Sequence, residues 1–401
     1  MTVKFKRLLL PFLIVGLLLV QGCQDNNKVQ PIPNTVLVSY QKVLSHSAAE
    51  LKSFFLTTGL TPLLIDDVTV YSITYKSLYR GQEVTASGLV VLPKSDIPVG
   101  MMSFQHGTIA SHAEAPSTIP LGSTEMTLYA GMGSLGLIAV IPDYIGFGST
   151  SNFIHPYYVE EATASAVVDM LRAAKELSAT LNTAFNGKLF LAGYSQGGYG
   201  TMAAHKLIEQ NGLTDFTLIA SFPAAGGYHV KAMQDYFFGL TTYAEPFYLA
   251  DVAVAYKSYY ANWTNGLSDF FNEPYATNIP SLLDGTKSSG EIDAALTTSI
   301  AALIKPDLRI NIDLDPKYKY ITDAFRINSL IDWKPAVRMY LYHGDADVTV
   351  PYNNSVLTYQ KLIANGVSPS ILTLTTIPGA NHSTGVLPYL QSFIPIMVSL
   401  K

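Results

Sequence analysis

The chain has 401 residues, which is long for one compact core and suits one catalytic domain that carries an insertion. Its net charge is −5, only 14% of its residues are charged, and no basic run interleaved with aromatic residues follows the first seven residues. This composition lacks the basic surface of a nucleic-acid-binding protein, so we expect no nucleic-acid partner.

The N-terminal segment has the pattern of a secretory signal peptide. A basic start, Lys4 to Arg7, precedes an apolar stretch over residues 8–20. This stretch is too short to span a membrane comfortably as a helix. We therefore predict that residues 1–22 are a signal peptide and that the protein is exported.

Cys23 follows this segment directly and is the only cysteine of the chain. Residues 19–23, Leu-Val-Gln-Gly-Cys, resemble a bacterial lipoprotein signal, which implies cleavage before Cys23 and acylation of its thiol. A lone cysteine can form no intramolecular disulfide, and the alternative is an ordinary secretory signal followed by a free thiol. We predict a lipid-anchored protein of a bacterial membrane, at the outer membrane or cell surface, with residues 23–39 as lipidated cysteine and tether.

The next part of the chain alternates between strand and helix patterns. Residues 67–75 and 83–92 read as a hairpin. Apolar runs without alternation, typical of strands buried on both faces of a parallel sheet, follow at residues 99–104, 137–141, 189–192 and 216–222. Helical spacing is clearest over residues 160–178. This order predicts an α/β fold with a doubly wound, mostly parallel sheet.

Residues 226–334 lack convincing strands and contain amphipathic helical segments with loops rich in Tyr, Asn and Asp. We predict a mostly helical cap insertion here, between a first core part at residues 40–225 and a second at 335–401. The second part contains strand patterns at 338–343 and 371–377. A glycine-rich run at 131–136 lacks the context of a dinucleotide site and is predicted to be a loop.

Ser195 lies in the sequence Gly193-Tyr194-Ser195-Gln196-Gly197, between a buried strand pattern and a helical run. A serine hydroxyl reaches a cleft from such a place only if the chain turns sharply, and the crowding of that turn requires small flanking residues. Gly193 and Gly197 meet this requirement. We predict that Ser195 is a nucleophile.

A nucleophilic serine needs a histidine base and a carboxylate that orients the base. In hydrolases with this strand–turn–helix nucleophile the chain order is serine, acid, histidine. Only His205, His229, His343 and His382 follow Ser195, and His382 alone lies in a loop after the final core strand. His382 is therefore the predicted base, while Asp345 and Asp347, at the end of the preceding strand, are both candidates for the acid.

The oxyanion formed during acyl transfer needs preorganised N–H donors. One normally comes from the residue after the nucleophile, here Gln196, and the second from the loop after an early strand, where we assign Thr108 with Gly107 as the alternative. Asp143 either orients this loop or is a plain turn aspartate. His106 is expected to be structural. We predict no cofactor and no metal site, since no metal-ligand spacing is visible.

These motifs together resemble the α/β-hydrolase superfamily and, within it, the secretory lipase family and related bacterial lipoprotein esterases. The resemblance rests on residues 103–108, 142–144, 168–174, 193–198 and 343–351. It implies a Ser195–Asp347–His382 triad, because it places the acid three residues before Val-Pro and leaves Asp345 to cap its own turn. It also implies an acyl-enzyme intermediate and a helical cap that shapes the acyl pocket.

The predicted function is a serine carboxylic ester hydrolase that acts on a small-molecule ester or lipid. Two alternatives stay open at this point. One is a serine peptidase of the prolyl-peptidase type on the same fold, although no propeller-like region is visible. The other is a surface lipoprotein that binds a lipid or glycan without turnover.

Overall fold

The computed structural model of the protein describes residues 35–401. The predicted signal peptide, Cys23 and most of the predicted tether lie outside the described residues. The first strand begins at Leu37, so the last three residues of the range predicted as tether, 37–39, belong to this strand.

A sheet of nine strands forms the centre of the described chain. In chain order its strands are β1 (Leu37–His46), β2 (Val68–Tyr79), β3 (Gln82–Pro93), β4 (Val99–Gln105), β5 (Leu137–Pro142), β6 (Phe185–Tyr194), β7 (Thr217–Ala224), β8 (Arg338–Gly344) and β9 (Leu372–Ile377). Their spatial order is β1-β2-β3-β5-β4-β6-β7-β8-β9. The strand β2 is antiparallel to both β1 and β3, and β3 is also antiparallel to β5. The other six strands, which lie side by side in the order β5, β4, β6, β7, β8 and β9, are parallel.

Helices cover both faces of this sheet. Those of the core are α1 (Ala48–Phe54), α2 (Thr124–Ser134), α3 (Glu160–Thr180), α4 (Gln196–Asn211), α12 (Tyr352–Ala364) and α13 (Val386–Leu400). Two separate apolar cores contain buried residues from the sheet, one including α3 and α4 and the other α2 and α13. The predicted doubly wound, mostly parallel α/β sheet is confirmed.

The segment between β7 and β8 is mainly helical. It contains α5 (Val230–Gly239), α6 (Phe247–Tyr259), α7 (Tyr275–Leu282), α8 (Ser289–Ala295), α9 (Ile300–Leu303), α10 (Pro306–Asn311) and α11 (Lys319–Ile327). Within the described residues its β structure is limited to two isolated bridges, Thr242–Ser299 and Phe271–Ile304. The side chains of Trp263, Phe270 and Phe271 are buried in this segment, next to α6 and α9.

The glycine-rich run at residues 131–136 was predicted wrongly as a loop, because its first four residues end α2. A Cβ atom on Gly131 would lie 2.6 Å from the Phe55 ring, and one on Gly133 would lie 2.4 Å from Val91 Cγ1. The glycines therefore let α2 approach α1 and the sheet more closely than larger residues would.

Candidate active site

Ser195 occupies a sharp turn between β6 and α4. Its backbone has φ 61° and ψ −124°, a conformation that non-glycine residues rarely adopt. A Cβ atom on Gly193 would lie 2.3 Å from the carbonyl oxygen of Gly197, and one on Gly197 would lie 1.9 Å from that of Gln105. The flanking glycines are thus required by backbone crowding, as the sequence predicted.

The His382 imidazole lies between Ser195 and Asp347. Its Nε2 is 2.8 Å from Ser195 Oγ, and its Nδ1 is 2.6 Å from Asp347 Oδ2. The phenol of Tyr194 donates to the carbonyl of His382 at 2.8 Å and holds the loop that carries the histidine. The structure therefore brings together the three residues that the sequence singled out for nucleophile, base and acid.

The Asp347 carboxylate is buried and accepts four hydrogen bonds. Its Oδ1 accepts from the backbone N–H groups of Thr349 and Val350, each at 3.0 Å, and its Oδ2 accepts from His382 and His343. Burial opposes ionisation, but the hydrogen bonds from the two histidines outweigh it and lower the pKa of Asp347. The carboxylate is thereby kept charged next to His382.

His343, near the end of β8, contacts the Asp347 carboxylate, which the sequence did not predict. In the structure its Nε2 lies 2.9 Å from the carbonyl of Val350 and 3.2 Å from Asp347 Oδ2, while Ser355 Oγ is 2.7 Å from its Nδ1. Both partners of Nε2 are acceptors, so Nε2 carries the proton. In the sequence, the sign of this contact is that His343 stands four residues before Asp347.

Asp345 does not cap its own turn, so this prediction was wrong. Its Oδ1 accepts from the backbone N–H of Gly379 at 2.6 Å, across to the loop that carries His382. The parallel pairing of Gly344 with Ile377 brings the two loops side by side. Asp345 therefore contacts the loop that carries His382.

The loop after β4 lies against Ser195 on its other side. A Cβ atom on Gly107 would be 3.8 Å from Ser195 Cβ. The backbone N–H groups of Thr108 and Gln196 have no hydrogen-bond partner in residues 35–401, which leaves both available to a ligand. The Thr108 hydroxyl lies 3.0 Å from the phenol oxygen of Tyr157, a contact that the sequence did not reveal.

His155 orients the side chain of Gln196. Burial lowers the pKa of His155 to about 4, so the ring is neutral at pH 7. Its Nδ1–H donates to the carbonyl of Ile145 at 2.7 Å, and its Nε2 accepts from Gln196 Nε2 at 2.6 Å. Sequence reasoning missed this residue.

Asp143 and His106 lie farther from the reacting atoms. The Asp143 carboxylate accepts hydrogen bonds from the hydroxyls of Ser87 and Ser117, at 2.6 and 2.5 Å, and from the backbone N–H of Ser117. These hydrogen bonds connect Ser117 to Ser87 of β3 through the Asp143 carboxylate. Within the described residues, this carboxylate makes no hydrogen bond to residues 106–108. His106 is buried, and its Nδ1 lies 2.7 Å from the carbonyl of Gly107.

Comparisons with known proteins identify similar sequences and folds. Residues 110–211 match the profile of the family described as secretory lipase. A candidate hydrolase from Legionella pneumophila has a similar structure, with TM-score 0.81 and 28% identity over 91% of this chain and 98% of that one. The chain is an α/β-hydrolase. The secretory lipase match bears out the predicted resemblance and the predicted enzyme class, a carboxylic ester hydrolase.

Two further solved structures share the fold of this α/β-hydrolase. The rice cell wall degrading esterase LipA from Xanthomonas oryzae has TM-score 0.78 and 23% identity, over 91% of this chain and 96% of that one. Candida antarctica lipase A has TM-score 0.65 and 14% identity, over 91% and 82%. No curated protein matches the sequence.

The secretory lipase match also agrees with export of the protein. None of the helices in residues 35–401 could cross a membrane.

A cavity of this α/β-hydrolase runs from Ser195 into the helical segment between β7 and β8. It encloses about 910 Å³, open mouth included. Most of its lining is apolar or aromatic and comes from α5, α6, α10 and α11, for example Phe237, Val252, Leu308 and Phe325. Such a cavity suits the apolar part of a ligand that reaches Ser195.

Proposed function

We propose that the protein is a serine esterase in which Ser195, His382 and Asp347 act as the catalytic triad. The observation that carries this proposal is the continuous pair of hydrogen bonds from Ser195 Oγ to His382 Nε2, at 2.8 Å, and from His382 Nδ1 to Asp347 Oδ2, at 2.6 Å. Both distances lie in the range expected of a nucleophile, its base and the group that orients the base.

The reaction has two halves. Ser195 Oγ attacks the ester carbonyl carbon while His382 Nε2 takes the hydroxyl proton, and this proton then leaves with the alcohol. The product is an acyl group on Ser195. A water molecule, deprotonated by His382, attacks the acyl carbon, and the carboxylic acid departs as Ser195 recovers its proton. Asp347 stays ionised throughout and stabilises the imidazolium.

The oxyanion of each tetrahedral intermediate is proposed to bind the backbone N–H groups of Gln196 and Thr108. Their lack of other partners supports this role, as does the approach of the Gly107 backbone to Ser195. Removal of one such donor typically costs about 10²- to 10³-fold in kcat. We assign Asp345 to positioning, since it holds the loop of His382.

The acyl part of the substrate is proposed to be apolar. The cavity at Ser195 is lined by aromatic and aliphatic side chains of residues 226–334, the region that we interpret as a cap domain inserted between the core parts 40–225 and 335–401. Polar groups in the lining come from Gln234, Thr349, the indole N–H of Trp263, the tyrosines and Ser195. We further propose that cleavage before Cys23 and acylation of its thiol anchor the enzyme to a bacterial membrane, probed by mass measurement of the N-terminal peptide after expression in bacteria.

Hydrolysis of p-nitrophenyl esters from acetate to dodecanoate tests the esterase proposal. The wild type should cleave them, Ser195→Ala should lose at least about 10³-fold in kcat, and Ser383→Ala, at an exposed serine beside His382, serves as the matched control. Cleavage of a prolyl p-nitroanilide with greater kcat/KM than any ester would favour the peptidase. Absence of all turnover in folded wild-type protein would favour the binding protein.

A further inference from the structure

A second cavity lies beside the active site and does not include Ser195. It encloses about 610 Å³, open mouth included, and is lined by residues 109, 110 and 112, residues 146, 147 and 151–155, residues 283–285 and three residues of α6. Helix α6 separates the two cavities, because Tyr248 and Val252 line the cavity at Ser195 whereas Phe247, Asp251 and Val254 line the second one.

The carboxyl of Asp251 is the unusual group of this cavity. The residue is only 7% exposed, yet its side chain makes no hydrogen bond and no ion pair within residues 35–401. Asp143, which is fully buried, accepts three hydrogen bonds by contrast. A buried polar group without a partner is costly, so an unpartnered carboxyl that lines a cavity indicates a ligand that donates to it.

The remaining lining defines the chemistry of that ligand. No Lys or Arg lines the cavity, and the other carboxylate there, Asp284, is already bound by Lys287 and Thr286. Aromatic rings of Phe147, Phe153 and Phe247 supply much of the wall. Ring faces attract cations, and a carboxylate in an apolar site prefers a charged donor over a neutral one.

We propose that this cavity binds an organic ammonium ion with a short apolar tail, with Asp251 as its counter-ion and the phenylalanine rings around the tail. A metal ion is a poorer fit, since the described residues contain no group of three or more His, Cys, Asp or Glu side chains arranged to hold one. Burial raises the pKa of Asp251 to about 8, which a bound cation would reverse.

His155 connects this cavity to the proposed catalytic residues. It lines the cavity and its Nε2 accepts from the side chain of Gln196, the residue next to Ser195. Ile109 and Ala110, from the loop after β4, line the same cavity, so a ligand that contacts Asp251 lies beside this loop and outside the cavity at Ser195.

Isothermal titration with n-butylammonium chloride tests the proposal, with 1-butanol as the neutral probe of equal size and NaCl as the salt control. At pH 9, where the Asp251 carboxyl, with its pKa of about 8, is mostly ionised before the ligand binds, the wild type should bind butylammonium at least about tenfold more tightly than 1-butanol, because a hydrogen bond to a charged group is stronger than one between neutral groups. Asp251→Asn should abolish this difference, while Asp235→Asn, at an exposed aspartate of α5, should preserve it.

Three results would overturn the proposal: no binding of butylammonium to the wild type, equal affinity for the two probes, or unchanged butylammonium affinity in Asp251→Asn. Val254→Trp, which fills the cavity without altering the carboxyl, provides a second variant if Asp251→Asn does not fold, and it should weaken the binding of both probes. Unchanged binding in Val254→Trp would place the ligand elsewhere. Because the readout is binding, these outcomes are independent of whether Ser195 hydrolyses esters.

Discussion

His343 Nε2 lies 3.2 Å from Asp347 Oδ2, so the carboxylate that faces His382 is shared by two histidines. The second histidine is buried, and the hydroxyl of Ser355 fixes its other ring nitrogen. Asp347 thereby gains a donor that does not depend on the loop of His382. One of the four donors to the Asp347 carboxylate therefore comes from β8, and this hydrogen bond helps to keep the carboxylate charged and oriented.

Replacing His343 by Phe should lower kcat about tenfold with little change in KM. Loss of a donor raises the pKa of Asp347, which the histidines now hold below its ordinary value of 3.8. As the pH is lowered, Asp347 of the variant becomes protonated at a higher pH than Asp347 of the wild type. The acid limb of the pH–kcat profile should therefore move to higher pH. His343→Gln, which keeps an N–H donor, should restore part of the loss.

His205→Phe is the matched control for this prediction. His205 is also buried, but it contacts Ser221 and Glu209 instead of Asp347. Its replacement should leave the acid limb in place. An unshifted limb in His343→Phe would show that the His343 bond to Asp347 has no effect on the triad.

Asp345→Ala should lower kcat several-fold by releasing the loop of His382. The bond from Gly379 N–H to Asp345 Oδ1, at 2.6 Å, is the interaction removed. Asp345→Asn keeps an acceptor oxygen and should retain most of the activity. Steady-state kinetics on one ester compares the three proteins, and equal kcat in all of them would exclude a positioning role for Asp345.

Val252→Trp should shorten the acyl chain that the enzyme accepts. Val252 lines the cavity at Ser195, so a larger side chain should reduce kcat/KM for decanoate and dodecanoate esters at least about tenfold while acetate turnover persists. Ile310→Trp, at an exposed position of α10, is the control. An unchanged chain-length profile in Val252→Trp would show that the acyl chain lies elsewhere.

Asp251→Asn should remove a pH-dependent cost in stability. Asp251 has a pKa of about 8 in the folded protein, against an ordinary value of 3.8. Between these values the folded state binds a proton that the unfolded state lacks, so stability falls as pH rises, by roughly 1.4 kcal/mol per unit from this group. Urea unfolding at pH 5 and pH 7 should therefore show a growing advantage of Asp251→Asn over the wild type. A constant difference between the two proteins would contradict the buried, unpartnered state of this carboxyl.

The sequence predicted β4, β5, β6 and β7 because burial on both faces of a parallel sheet produces continuous apolar runs. It also predicted β8 and β9 as strands, although β9 is not buried along its whole length. It missed β1, an edge strand whose partly exposed residues show no clear alternation. It also missed that residues 131–134 belong to α2, since the reason for those glycines is contact with Phe55 and Val91, which are distant in sequence.

The candidate site was predictable where chain order and local crowding decide the role of a residue. Ser195 and His382 are such cases. The bond of Asp345 to Gly379 depends on how β8 and β9 align, with Gly344 opposite Ile377. No local pattern encodes that alignment, so this contact required the structure.

Covalent labelling by a fluorophosphonate, followed by intact mass and peptide mapping, tests the central claim most directly. The account predicts one adduct per chain, located on Ser195, no adduct in Ser195→Ala, and much slower labelling in His382→Ala, which lacks the base 2.8 Å from the hydroxyl. An adduct that persists in Ser195→Ala, or labelling of His382→Ala at the wild-type rate, would contradict the proposed triad.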